Sequence, residues 1–317
     1  MGVLTRFATG FLVAAAMAAP ALAQELTIIA PAGPGGGWDQ TARSLQTALQ
    51  TEGLAKNVQV VNVPGAGGTI GLAQFVSQHK GNPNTLIVGG YVMVGAIATN
   101  ASPVTLDQVT PVARLTGEYE AIVVPTSSPI KTIGDLVAQL KADPGTVSWG
   151  GGSAGGTDHI TVGLIAKAAG VDPTKINYIP FSGGGEALAA IVGGKVTAGI
   201  SGWGEFEQQV KAGKLRVIAV SAPERIAGID APTLKESGLD VEVQNWRGVW
   251  AAPGLTDEQK AGLIALVEKV NASKSWTDTL ATKGWANTFL AGDAFGTVLK
   301  DEIAKTNVVL KDIGLIK

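Results

Sequence analysis

Short apolar runs alternate along this chain with glycine clusters and with stretches of helical spacing. Leu26–Ala30 is followed by Pro31-Ala32-Gly33-Pro34-Gly35-Gly36-Gly37-Trp38-Asp39, and the spacing predicts a helix near Asp39–Leu49. Val58–Val63 leads into Pro64-Gly65-Ala66-Gly67-Gly68 and a helix near Ile70–Gln78. Leu86–Val88 leads into Gly89-Gly90-Tyr91 and a further apolar helix, and Val112–Leu115 and Ala121–Val124 are two short strand-like runs almost in series. The pattern then restarts. Val147–Trp149 leads to Gly150-Gly151-Gly152-Ser153-Ala154-Gly155-Gly156-Thr157-Asp158 and a helix through Ala169. Asn177–Phe181 leads to Ser182-Gly183-Gly184-Gly185 and a helix near Ala187–Val192, and Ala198–Ser201 leads to Gly202-Trp203-Gly204 and a helix near Glu205–Lys211. Leu215–Val220 is another strand, Val241–Ala251 a long extended run, and Thr256–Asn271 a helix in which Thr256 and Gln259 fit a capping box. Apolar runs this short, bounded by glycine, read as buried strands, and the amphipathic stretches between them as helices.

Strand, glycine turn, helix, repeated, predicts parallel sheets covered by helices. The two halves also match each other. Asp39 and Asp158, at the ends of corresponding turns, lie 119 positions apart, and Gly65 and Gly183 lie 118 apart. In open α/β sheets, ligands bind beyond the carboxyl ends of the strands, where all six glycine turns fall, three per half. Two lobes facing across a cleft would line it with helix N-termini. Val112–Val124 and Leu215–Ala251 are the natural crossovers. The first lobe is then discontinuous, residues 24–118 with 240–317, and residues 119–239 form the second.

Composition narrows the function classes. Of 317 residues, 45% are hydrophobic and 16% charged, enough to bury a core in two domains. A net charge of −2 implies no large basic face, which argues against nucleic acid or an anionic membrane as partner. The first residues look like a processing segment: Arg6, an apolar stretch Phe7–Ala19, and Ala21-Leu22-Ala23 in small-x-small order, so cleavage is expected after Ala23 and export to a periplasm follows. The absence of cysteine excludes disulfides, thiolate metal sites and a cysteine-linked lipid anchor. The mature chain is expected to be free, soluble and monomeric.

The turns carry no Lys or Arg from Pro31 to Asp39, Pro64 to Gly68, Gly150 to Asp158 or Phe181 to Gly185. Their donors are backbone amides, Ser153, Thr157, Ser182 and the Trp38 indole. Amides at the positive end of a helix make an anion site without a formal counter-charge. A charge-assisted hydrogen bond contributes about 1.5–3 kcal/mol, and micromolar affinity needs only about −8 kcal/mol, so three or four such donors suffice for a carboxylate.

Residues Ile29 to Arg43, reading IAPAGPGGGWDQTAR, resemble the opening motif of solute-binding proteins of tripartite tricarboxylate transporters. Val63–Gly68, Gly152–His159 and Trp246-Arg247-Gly248-Val249-Trp250-Ala251-Ala252-Pro253 support the resemblance, which runs over essentially the whole mature chain. It implies an α/β, two-lobed periplasmic binding protein of type II, each lobe a mainly parallel sheet flanked by helices. It implies capture of citrate or a C4 dicarboxylate, then delivery to a membrane permease of one large and one small subunit. Aromatic acids and amino acids are alternatives within the same family, and Gly37-Trp38-Asp39 is similar to its tricarboxylate branch. No cofactor or metal is expected.

The residues expected to meet solute are Gly36, Gly37, Trp38, Gly67, Tyr91, Ser153, Gly155, Gly156, Thr157, Ser182, Gly183, Gly202 and Arg247. Each has a plainer reading. The glycines permit tight turns, Tyr91 and Trp203 pack equally well in a core, and Arg247 pairs either a solute carboxylate or a neighbouring acid. Asp39 reads as a helix residue paired with Arg43 at i+4, and Asp158 as its counterpart. His159 reads as a packed or capping histidine, with pH-sensitive solute contact as the sharper alternative. Ser153→Ala, Thr157→Ala and Gly37→Val are expected to weaken binding without unfolding. A secreted hydrolase is the rival reading. With His79 and His159 as the only histidines, no G-x-S-x-G, no H-E-x-x-H and no P-loop lysine, it is poorly supplied. A structural module has no use for six glycine turns at one face.

Overall fold

The computed structural model describes residues 25–182 and 184–317. The expected leader, its cleavage after Ala23, and Gly183 lie outside the described residues. The elements in chain order are β1 (Glu25–Ala30), α1 (Gly37–Thr51), β2 (Asn57–Asn62), α2 (Thr69–Gln78), β3 (Thr85–Gly90), α3 (Tyr91–Thr99), β4 (Thr110–Pro125) and α4 (Ile133–Ala142). They continue with β5 (Ser148–Gly151), α5 (Thr157–Ala168), β6 (Asn177–Pro180), α6 (Gly184–Val192), β7 (Ala198–Gly202), α7 (Trp203–Lys211) and β8 (Leu215–Val220). The C-terminal part is β9 (Gln244–Ala251), α8 (Asp257–Asn271), α9 (Lys274–Lys283), β10 (Ala286–Ala291) and α10 (Gly292–Asp312).

Each half is a small parallel sheet built on the repeated strand–turn–helix unit. β1 pairs β2 and β3 in parallel, and β5 pairs β6 and β7 in parallel. The connecting strands run antiparallel to these. β9 lies between β3 and β4, while β7, β8 and β10 all pair β4. The two runs read as short strands in series are one sixteen-residue strand. Its first part pairs β9 and β10, and its second part pairs β7 and β8. One strand thus belongs to both sheets and sets how the lobes meet.

The alternation along β4 shows why that strand is apolar on both sides. Ile122 and Val124 face one core with Trp149 and Ile165, and Ala121 and Val123 face another with Phe206 and Ile191. Successive side chains of a strand point to opposite faces, so a strand covered on both sides reads as a continuous apolar run. The first lobe has its own core around Ile28, Leu45, Phe75, Trp246, Trp250 and Phe295. Trp250 and Phe295 approach to 5.3 Å between ring centroids. The last helix bridges the lobes, since Leu310 and Ile313, just beyond the end of α10, pack on Ile160 of α5.

Most helices expected from the pattern are present within one or two residues, including the Thr256–Gln259 capping box of α8. α4 carries its own capping box, Thr132 with Asp135, and falls in a segment for which the apolar pattern predicts no element. It has only three fully buried residues, Ile133, Leu136 and Leu140, too sparse a stripe to stand out. No helix among the described residues is long and apolar enough to cross a membrane.

Candidate functional site

α1 and α5 begin in the same way at the carboxyl ends of β1 and β5. Gly36 and Gly156 are their N-caps, both with extended backbone (φ −74° and −78°) and neither with a side-chain cap. A glycine cap leaves the first-turn amides of a helix without an intrahelical or side-chain acceptor, available to an outside anion. Each turn is closed by the helix's own aspartate. The Gly35 amide donates to Asp39 Oδ2 at 3.0 Å, and the Gly152 amide donates to Asp158 Oδ2 at 2.6 Å. The next residue ties the same turn: Gln40 Nε2 donates to the Gly35 carbonyl at 3.0 Å, and His159 Nδ1 accepts from the Gly155 amide at 3.2 Å.

These helix ends face one cavity with about 720 Å³ of empty space, part of it continuous with solvent. The first lobe lines it with Gly36, Gly37 and Trp38 of the first turn and Gly67 of the second. The second lobe contributes Ser153, Gly156, Thr157 and Ser182, and β9 contributes Arg247. Nine of the thirteen expected residues are thereby brought together. Three are placed elsewhere. Tyr91 opens α3, where it packs against three of the four cores and pairs with Thr306. A Cβ on Gly155 would run into Thr99, so this residue faces α3 rather than the cavity. Gly202 lies against the Glu118 carboxylate. Trp203 packs in the second lobe with Phe206.

Several side-chain donors are already committed. The Thr157 hydroxyl donates to Asn245 Oδ1 at 3.2 Å and is fully buried. The Ser182 hydroxyl donates to Glu186 Oε2 at 3.1 Å. Arg247, 2% exposed, pairs with Glu118, and Trp285 Nε1 donates to the other Glu118 oxygen at 3.0 Å. Its guanidinium lies 5.2 Å over the Trp285 ring. Burial pulls the Arg247 pKa down to about 9, so it stays charged at neutral pH. The plainer reading of Arg247, a bond to a neighbouring acid, holds in a residue that nevertheless lines the cavity. A Cβ on Gly37 would collide with that guanidinium. The expectation that Gly37→Val spares stability therefore gives way, because the substitution would drive a buried ion pair apart.

Two acids the sequence reading did not assign to the cleft line it as well. Asp158 and Glu205 face the cavity, and Glu120 lies behind them, fully buried with neither carboxyl oxygen hydrogen-bonded. Burial pushes Asp158 up to about 6, against the pull of the Gly152 amide. Burial and the nearby Asp158 push Glu205 up to about 7. Glu120 is raised well above the usual carboxylate range, chiefly by burial and further by Asp158 and Glu205. His159 moves the other way. Burial lowers it to about 4, and it stacks on Tyr178 at 4.1 Å, so it is neutral at physiological pH and supplies no pH-sensitive contact there. The signals available for these residues were positional. Glu205 is in the first turn of the helix after β7, and Asn245, which also lines the cavity, is two residues before Arg247 on β9, hence on the same face.

The profile described as tripartite tricarboxylate transporter family receptor matches residues 41–315. The chain belongs to that family. It is 30% identical to a UPF0065 protein from the TAR-I ttuE-ttuC' intergenic region of Agrobacterium vitis, over 71% of this chain and 65% of that protein, just under two thirds of its length. It is 27% identical to BugT of Bordetella pertussis over 96% of this chain and 95% of BugT. Among solved structures, a TctC solute-binding protein from Polaromonas is 28% identical with a TM-score of 0.64, covering 91% of this chain and 98% of that one. MatC from Rhodopseudomonas palustris with bound malate has a TM-score of 0.80 at 24% identity, covering 90% and 98%. Family and fold are thus those of two-lobed periplasmic substrate-binding receptors.

Proposed function

We propose that this chain captures a small di- or tricarboxylate, of the citrate or C4-dicarboxylate type, in the cleft between lobes formed by residues 24–118 with 240–317 and by residues 119–239. The observation that carries this reading is the opposition of two uncapped helix N-termini, those of α1 and α5, across one cavity. Amides of Gly37, Trp38 and Thr157 receive carboxylates, with the Ser153 hydroxyl as an added donor. Arg247 is the one cation among the described lining residues, and Glu118 already neutralises it. Recognition therefore rests on dipoles and amides. MatC, of the same fold, holds a dicarboxylate of the class proposed. The occupied receptor closes about β4 and β9, acts as a monomer, and hands its solute to a permease of one large and one small membrane subunit, because the ligand raises the population of the closed form.

A second reading has a specific observation behind it. An amino acid would place its ammonium against Asp158 and Glu205 and its carboxylate at α1. A thermal-shift screen of the mature chain against di- and tricarboxylates, aromatic acids and amino acids tests both. A true solute at about 100 times its Kd stabilises by about 2.7 kcal/mol. If no carboxylate shifts the melting temperature, the receptor reading fails.

A further inference from the structure

The helix termini read as an anion site already face a carboxyl side chain. Glu205, from α7 of the second lobe, reaches across to the start of α1 in the first. It lines the cavity beside Gly36, Gly37 and Ser201, and a Cβ on Gly184 would meet both its Oε2 atom and the Gly36 Cα, the latter at 3.5 Å. The Gly37 amide and the Ser201 hydroxyl are the groups that favour its anion. The side chain of Glu205 thus stands where a solute carboxylate would be received by α1.

Resting on the carboxylate reading above, we propose that an entering solute carboxylate takes the Gly37 amide from Glu205, and that Glu205 leaves this exchange protonated. At the α1 subsite the balance is one for one: one solute carboxylate arrives, one proton is taken from the buffer onto Glu205, and the charge there is unchanged, while the solute's other carboxylate adds its charge at α5. The surroundings leave no cheaper outcome. The charged or ionisable groups around Glu205 are Asp158 on α5, Glu120 and the Glu118–Arg247 pair at β4 and β9, and Lys283 and Glu207 along the outer groove. Arg247 is spent on Glu118, and Lys283 Nζ donates to Gln40 Oε1 at 3.1 Å. Asp158 repels a second anion. Glu120, fully buried beside Asp158 and Asn245, is held well above the usual carboxylate range, chiefly by burial, so this wall disfavours a further charge.

The sign follows from the groups. Burial, and then the nearby Asp158, push Glu205 up to about 7. Losing the Gly37 amide and gaining an anionic neighbour both move it higher, so binding takes up protons at and above neutral pH. Affinity is then full below about pH 7 and falls by about tenfold per pH unit above it, until the bound-state value is passed.

Calorimetry of the mature chain with malate and with succinate, both fully ionised at neutral pH, in two buffers of different ionisation heat reads the proton directly. The expected result is uptake approaching one proton per solute near pH 8, and a Glu205→Gln variant that binds without uptake and without the pH dependence. Zero uptake with normal binding, or a variant with the wild-type pH profile, overturns the exchange while leaving the receptor reading intact. Should the variant fail to fold, uptake by the wild type alone decides. Proton release on binding an amino acid, with no binding of either dicarboxylate, overturns the exchange in favour of an ammonium facing Glu205. No binding of any carboxylate at any pH between about 5 and 9 removes the underlying reading instead.

Discussion

The turn at Pro31–Asp39 and the turn at Gly150–Asp158 are built alike and charged differently. Both follow a parallel strand, both open an uncapped helix, and both are closed by an aspartate accepting an amide of its own loop. Asp39, however, also accepts from Arg43 Nε at 3.0 Å and from Asn62 Nδ2 at 2.9 Å, and its pKa is lowered in spite of burial. Asp158 has no cation and is pushed up to about 6. The same backbone device therefore presents a settled charge on the outer side of one lobe and an unsettled one on the inner side of the other. Local geometry repeats because glycine and helix termini repeat. Charge state does not, because it is set by what the rest of the fold brings alongside.

Glycine substitutions separate the turns most strongly. Gly37→Ala should cost about 3 kcal/mol or more in denaturant unfolding, since its methyl group displaces a guanidinium anchored by Glu118 and Trp285. At Gly152 a Cβ meets only the Asp158 carboxylate, at 3.3 Å, and Gly152→Ala should cost about 1 kcal/mol or less. Equal losses would mean that the Arg247–Glu118 pair does not depend on the first turn.

The aspartates should respond to pH with opposite signs. Asp39 is lowered, so its stabilisation is present above its ordinary value and is lost as pH falls through the folded one. Asp158 is raised, so its stabilisation is present below about pH 4 and is lost as pH rises through about 6. At pH about 8, Asp158→Asn should therefore raise stability by about 2–3 kcal/mol, and Asp39→Asn should lower it by about 1–2 kcal/mol. Melting curves at pH about 5 and 8 check both, and a stability loss for Asp158→Asn at the higher pH would contradict the burial argument.

The smallest effect concerns the residues after the aspartates. His159→Gln places the first turn's residue type in the second. It forfeits the stack on Tyr178 and should cost about 1 kcal/mol. It should leave the pH profile above about 5 untouched, because His159 titrates near 4. An NMR titration that puts His159 near 6.5 would break this point.

Much of this comparison was legible from residues alone. The short apolar runs placed the strands, the glycines placed the turns, and the i+4 spacing of Asp39 and Arg43 announced their pair, which forms with Arg43 half exposed. Eight of the nine expected residues that share the cavity, all but Arg247, do so for the same reason: strand, turn and helix start are local events, and an α/β sheet puts turns of one kind at one edge. The misplaced ones are also instructive. Tyr91 and Gly202 follow strands as the others do, but α10 and β4 cover them, and nothing local to either records that.

The sequence by itself determined a two-sheet α/β chain with amide-rich turns and no spare lysine in them. Local propensity, periodicity and composition carry that information over a few residues at a time. Only the tertiary structure decided that β4 is one strand shared by two sheets, that Arg247 is held by Glu118 across 129 positions, and that Glu205 of one lobe faces the α1 terminus of the other. Those pairings join residues far apart in the chain, and the protonation of Asp158, Glu205 and Glu120 follows from burial. Burial is a property of the packed molecule and of no single segment.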